Sequence, residues 1–178
     1  MKNLIIIIVF IFLGCKEKQQ PKKEMTEDIK IYLDDKYNAI QKGNEESYKR
    51  LSLFYSNNPN YIYEFLSISI IMAEKYEVKS ANFNVYYSLV KIYNNNKYTS
   101  YLFKNLNIQQ REFAMYYLQR GVENKSIDCI VELARIYRYS IGYNKNIEKA
   151  ESLEQIILKS NPNYDFKKAD EFEMNIER

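Results

Sequence analysis

The sequence predicts an all-α protein: an α-solenoid of about three helical hairpins, with a leading helix and a C-terminal capping helix. Three observations carry this expectation. Only four glycines and three prolines occur in 178 residues, too few for a protein built of strands and tight turns. From Thr26 onward apolar residues recur at three- and four-residue spacing, the period of an amphipathic helix. A leucine followed four residues later by a tyrosine returns three times, as Leu51/Tyr55, Leu89/Tyr93 and Leu133/Tyr137, at intervals of roughly 40 residues that mark stacked helix pairs.

The chain opens MKNLIIIIVFIFLGC, with one lysine, an apolar run from Leu4 to Leu13, then Gly14 and Cys15. A run of this length makes a helix of about 15 Å, half of a hydrocarbon core. Residues 1–14 therefore read as a signal peptide and not as a membrane span. The ending FLGC resembles the lipobox of bacterial lipoproteins, with Phe12 where leucine is usual. That resemblance implies acylation of Cys15, which becomes the mature N-terminus, and a protein anchored at a periplasm-facing or outer surface of the bacterial cell envelope. An uncleaved short anchor with an incidental cysteine is the alternative. Residues 15–25 follow as lipidated cysteine and tether, since KEKQQPKKE is charged, lacks aromatics and contains Pro21, a composition that does not pack. Cys129 is left without a pairing partner and reads as a small buried apolar residue.

The folded domain spans residues 26–178. Its leading helix is predicted to start at Thr26, bury Ile29, Leu33, Tyr37 and Ile40, and stop at Gly43. The first hairpin joins 43–55 to 60–77, where Pro59 suits a first helical position. The second joins 80–93 to 107–123, and the third joins 126–137 to 146–162, with Pro162 blocking continuation. Four residues before each leucine stand Ser47, Val85 and Cys129, whose modest size suits close approach by a neighbouring helix. In the last segment Phe166, Ala169 and Ile176 lie at helical intervals among many charges, as a capping helix requires. An irregular helical bundle is the alternative architecture.

Residues 126–161 resemble a Sel-like repeat, a relative of the tetratricopeptide repeat. Leu133, Tyr137, Gly142, Tyr143, Asn146, Lys149 and Ala150 stand at positions of that family's pattern, while Ser140 replaces its first glycine and Asn146 its aspartate. A glycine here permits left-handed backbone between antiparallel helices, Asn146 can cap the second helix, and Ala150 lets the two pack closely. Residues 43–123 keep only the Leu/Tyr pair and small residues such as Ala73 and Ala114. The resemblance implies tetratricopeptide-like hairpins whose first helices line a concave, ligand-holding groove.

With Leu51, Leu89 and Leu133 turned inward, helix geometry places Glu46, Lys49, Asn84, Tyr87, Lys91, Asp128, Arg135 and Arg138 on the groove side. Lys91, Arg135 and Arg138 tilt this set positive, so the expected partner segment carries acidic groups. A solvated helix face without a partner is the alternative. Eighteen tyrosines serve either as core residues or as an adhesive surface.

Catalysis is not expected. The chain has no histidine, which removes the usual general base, the usual zinc ligand and the partner of a serine or cysteine nucleophile. Glycines at 14, 43, 121 and 142 lie too far apart for a phosphate loop. Asp34/Asp35 and Glu45/Glu46 read as solubilising charges, and no metal-ligand spacing occurs. A net charge of +3 with both signs interspersed does not suit nucleic acid. No cofactor, metal or small-molecule substrate is expected. The function that follows is an envelope-anchored lipoprotein acting as a protein–protein interaction module, with another envelope or secreted protein as partner. The alternative, permitted by the resemblance, is an immunity-type inhibitor that neutralises a secreted antibacterial toxin such as a lipase.

Overall fold

The computed structural model describes residues 26–176, and side-chain surroundings as far as Glu171. The expected signal peptide, Cys15 and the whole of the tether lie outside the described residues. Among those described are eight α-helices, two short 3-10 segments and no strand. The helices are α1 (Glu27–Lys42), α2 (Glu45–Asn57), α3 (Ile62–Tyr76), α4 (Lys79–Ile92), α5 (Ile108–Glu123), α6 (Ile127–Tyr139), α7 (Ile147–Ser160) and α8 (Phe166–Ile176).

Local chemistry sets most boundaries. Gly43 ends α1 in the left-handed region at φ 64°, and Asn44 then caps α2 by accepting the Ser47 N–H at 2.8 Å. Pro59 opens a 3-10 turn, Pro59–Tyr61, before α3 begins. Asn107 and Gln110 form a reciprocal capping box at the start of α5. At the segment that resembles a Sel-like repeat, Ser140 and Gly142 both take positive φ, 58° and 71°. Asn146 caps α7 by accepting the Lys149 N–H at 2.9 Å, and Ala150 is fully enclosed.

Helices pack in sequential pairs, most extensively α3 with α4 and α6 with α7, then α4 with α5 and α1 with α2. The expected pairing of α2 with α3 is much sparser. Aromatic rings account for the spacing: Phe65 of α3 stacks on Tyr48 and Tyr55 of α2, with centroids 6.0 and 5.0 Å apart. Between α3 and α4 the small residues Ser69, Ala73 and Ala81 are buried instead, and small side chains let helix axes approach. Leu51, Leu89 and Leu133 all enter the core, as do Ser47, Val85 and Cys129. Tyr48, Tyr55 and Tyr86 are core residues, whereas Tyr37, Tyr61, Tyr63 and Tyr116 are exposed.

Two expectations need correction. In α1 Ile29, Leu33 and Tyr37 face outward while Ile40 packs against the core as expected, and the helix docks through Tyr32, Asp35, Lys36 and Ala39. Polar pairing decides the orientation. Arg50 Nε donates to Asp35 Oδ2 at 2.9 Å, Lys36 pairs with Glu64, and Tyr32 Oη donates to Glu64 at 3.0 Å. The second correction concerns the stretch between α4 and α5. There a 3-10 segment, Ser100–Asn105, buries Phe103, and Leu106 follows it into the core.

Candidate functional site

The residues that α2, α4 and α6 turn toward one another line a cavity of about 450 Å³. Glu46 and Lys49 come from α2, Asn84 from α4 and Asp128 from α6, so four of the eight residues expected to face a groove meet in one place. Glu45, Ser52 and Ser80 complete the polar wall, and Tyr48 also lines it. Each reaches the cavity because its helix has committed the opposite side to the core through Leu51, Leu89 or Leu133.

A second cavity, of about 190 Å³, adjoins the first through the shared residues Ser52 and Asn84. Its lining is largely apolar: Tyr55, Ile62, Phe65, Phe83 and Tyr87. Tyr87 is thus the fifth expected residue present. Tyr48 fixes the seam between the two cavities. Its hydroxyl donates to Ser69 Oγ at 2.8 Å and accepts from Asn84 Nδ2 at 2.8 Å. Burial pushes the Tyr48 phenol well above its ordinary range, against the smaller opposing effect of Ser69 and Asn84, so it stays protonated and keeps Asn84 oriented.

The three expected cations lie elsewhere or are occupied. Lys91 is 7 % exposed, with Nζ 5.2 Å from the Tyr87 ring centroid and donating to its hydroxyl at 3.2 Å. Arg135, also 7 % exposed, donates to Glu132 at 2.9 Å and to Asp170 of α8 at 2.8 Å. Arg138 is paired bidentately with Glu154 of α7, at 2.7 and 2.6 Å. Carboxylates neutralise Arg135 and Arg138, whereas Lys91 keeps its charge and is held against Tyr87 at the edge of the apolar slot. In the polar cavity Glu45, Glu46 and Asp128 outnumber Lys49, and its wall is acidic where the sequence suggests a positive tilt.

The burial of Arg135 is not legible in the sequence, because it depends on Asp170 of α8 reaching Arg135 and Tyr139 of α6. Ser100 adds a further hydroxyl to this buried network, 2.8 Å from Arg135 Nη1 and from Glu132 Oε2. The apolar half of the groove was also missed. Phe65 and Ile62 belong to α3, which a map confined to the first helices leaves out. Among the described residues no cluster of histidine, cysteine and carboxylate side chains is arranged to hold a metal ion. Burial pushes the Cys129 thiol up to about 12, which leaves it protonated at neutral pH. The arrangement is suited to holding a chain segment: carboxylates for cationic side chains, Asn84 and the two serines for hydrogen bonds, and an aromatic slot for an apolar side chain. No protein-family model matches the sequence, and neither the curated proteins nor the solved structures give a significant match.

Proposed function

We propose that this chain is a lipid-anchored interaction module of the Sel-like, tetratricopeptide-like kind, which holds another envelope protein in the groove of α2, α4 and α6 and makes or breaks no bonds itself. One observation carries the reading. Side chains from three helices far apart in sequence, Glu46, Lys49, Asn84 and Asp128, converge on one cavity that continues into an aromatic slot. The sequential pairing of helices and the capped hairpin around Gly142 and Asn146 support a repeat solenoid. Anchorage rests on the FLGC stretch ending at Cys15. Among the described residues no helix is long and apolar enough to cross a membrane.

The acid excess of the groove selects the partner segment: one bearing lysine or arginine beside an apolar or aromatic side chain. Affinity capture of the mature chain from its native envelope tests the proposal. A partner retained by the wild type and lost on Glu46→Arg with Asp128→Arg is expected. A partner captured equally by that double variant overturns the groove as the binding surface.

A further inference from the structure

We propose that the outward row of α1, formed by Ile29, Leu33 and Tyr37, rests in the headgroup region of the bilayer that carries the anchored chain. This rests on the anchorage of Cys15 proposed above. The row is 47 %, 43 % and 59 % exposed in turn, and its four-residue spacing aligns it along one side of the helix. Packing within the domain does not account for it. The docked side of α1 is held by Tyr32, Asp35 and Lys36, and Ala39 is the one apolar side chain of the helix that is fully enclosed. An amphipathic helix that turns its polar side inward leaves its apolar side for something else.

Position and charge identify the occupant. Cys15 lies eleven residues before Thr26, and a chain of that length spans at most roughly 40 Å. The row occupies the turns of α1 nearest that tether. Helix geometry sets Lys30 along one edge and Lys36, which pairs with Glu64, along the other, while Glu27, Asp28 and Asp34 fall more than a quarter-turn from its axis. Lys42 Nζ sits 5.4 Å from the centroid of the Tyr37 ring. Aliphatic side chains beside Lys30, with the exposed Tyr37, are the composition of an interfacial helix. Anionic headgroups complement Lys30 at the edge of the row.

The chain contains no tryptophan, so a single introduced indole reports its surroundings. Acylated full-length chain is reconstituted into vesicles of phosphatidylcholine and phosphatidylglycerol, some with brominated acyl chains. Leu33→Trp is compared with Ile156→Trp on α7, a second exposed position. We expect the Leu33→Trp emission to be quenched at least twofold by the brominated lipid and the Ile156→Trp emission to be unchanged. Equal emission of both variants on vesicle-bound protein overturns the inference and leaves the anchor intact. Protein that fails to float with the vesicles overturns the anchor, and the inference with it.

Discussion

Arg135 Nε on α6 stands 2.8 Å from Asp170 Oδ1 on α8, and both side chains are more than nine-tenths enclosed. Tyr139 Oη donates to the other oxygen of the same carboxylate at 2.7 Å. The last helix is therefore fastened to the domain by buried charge. Removing one member of such a group strands the rest without compensation. We expect Arg135→Leu to destabilise the domain by about 3 kcal/mol, and Asp170→Asn by less, since Glu132 still faces the guanidinium. Urea denaturation checks both. A change within about 0.5 kcal/mol for Arg135→Leu, the size of an ordinary surface substitution, would show that the network is not structural.

Asp35 makes the docking of α1 dependent on acid. The Arg50 guanidinium beside it holds its carboxyl below the usual range, outweighing the opposite push of burial. At Glu64 burial raises the carboxyl, but Lys36 and Tyr32 together leave it lowered. A depressed carboxyl contributes stability that is complete above its unfolded value, near pH 4, and is lost as pH falls through the folded value. Stability of the wild type should fall on the acid side of about pH 4. Asp35→Asn should be less stable at pH 7 and show a shallower decline, read from urea midpoints across that range.

Gly121 of α5 lies against Cys129 of α6. A methyl group there would collide with Cys129 Sγ, lie 2.8 Å from Cys129 Cβ and 3.2 Å from Asn82 Cβ. Overpacking of this kind costs about 1–3 kcal/mol. Gly121→Ala should show that loss, and adding Cys129→Ala should recover part of it by removing the sulfur. Independent, additive effects in the double variant would mean that the two residues are not in contact.

Cys129 should be chemically silent in the folded state. It is fully enclosed and its thiol is held protonated by burial. In a Cys15→Ser background, alkylation by iodoacetamide at neutral pH should be slower than in urea by at least about a thousandfold, because reaction must await opening. Prompt labelling of the native protein would place the sulfur at the surface.

How far the sequence predicts this arrangement depends on the range of the interactions involved. The turn from α6 to α7 is legible because its determinants are local: Gly142 supplies the left-handed backbone, Asn146 the cap and Ala150 the close approach. The inward course of Leu51, Leu89 and Leu133 is equally a matter of helical period. The face of α1 is not legible, because Tyr32, Asp35 and Lys36 find partners 15 to 32 residues away, and no periodicity records such pairs. The groove falls between these cases. Glu46, Lys49, Asn84 and Asp128 follow from placing each leucine inward, whereas Arg135 depends on where α8 folds, which a single helix cannot encode. The buried Phe103 sits in a 3-10 segment too short to generate a helical pattern.

The manner in which α1 is attached gives the two ends of the domain different sensitivities. Leu51, Val85, Leu118 and Ile136 are shielded from dissolved ions, and so is the Arg135 network. The Arg50–Asp35 pair has its guanidinium side half in solvent, and the Lys36–Glu64 pair is also open to counterions. Mobile ions shorten the reach of exposed charges to about 8 Å under physiological conditions and to about 3 Å at molar salt. Added salt thus weakens the attachment of the first helix, whereas α6 and α8 stay joined by a pair that dissolved ions do not reach.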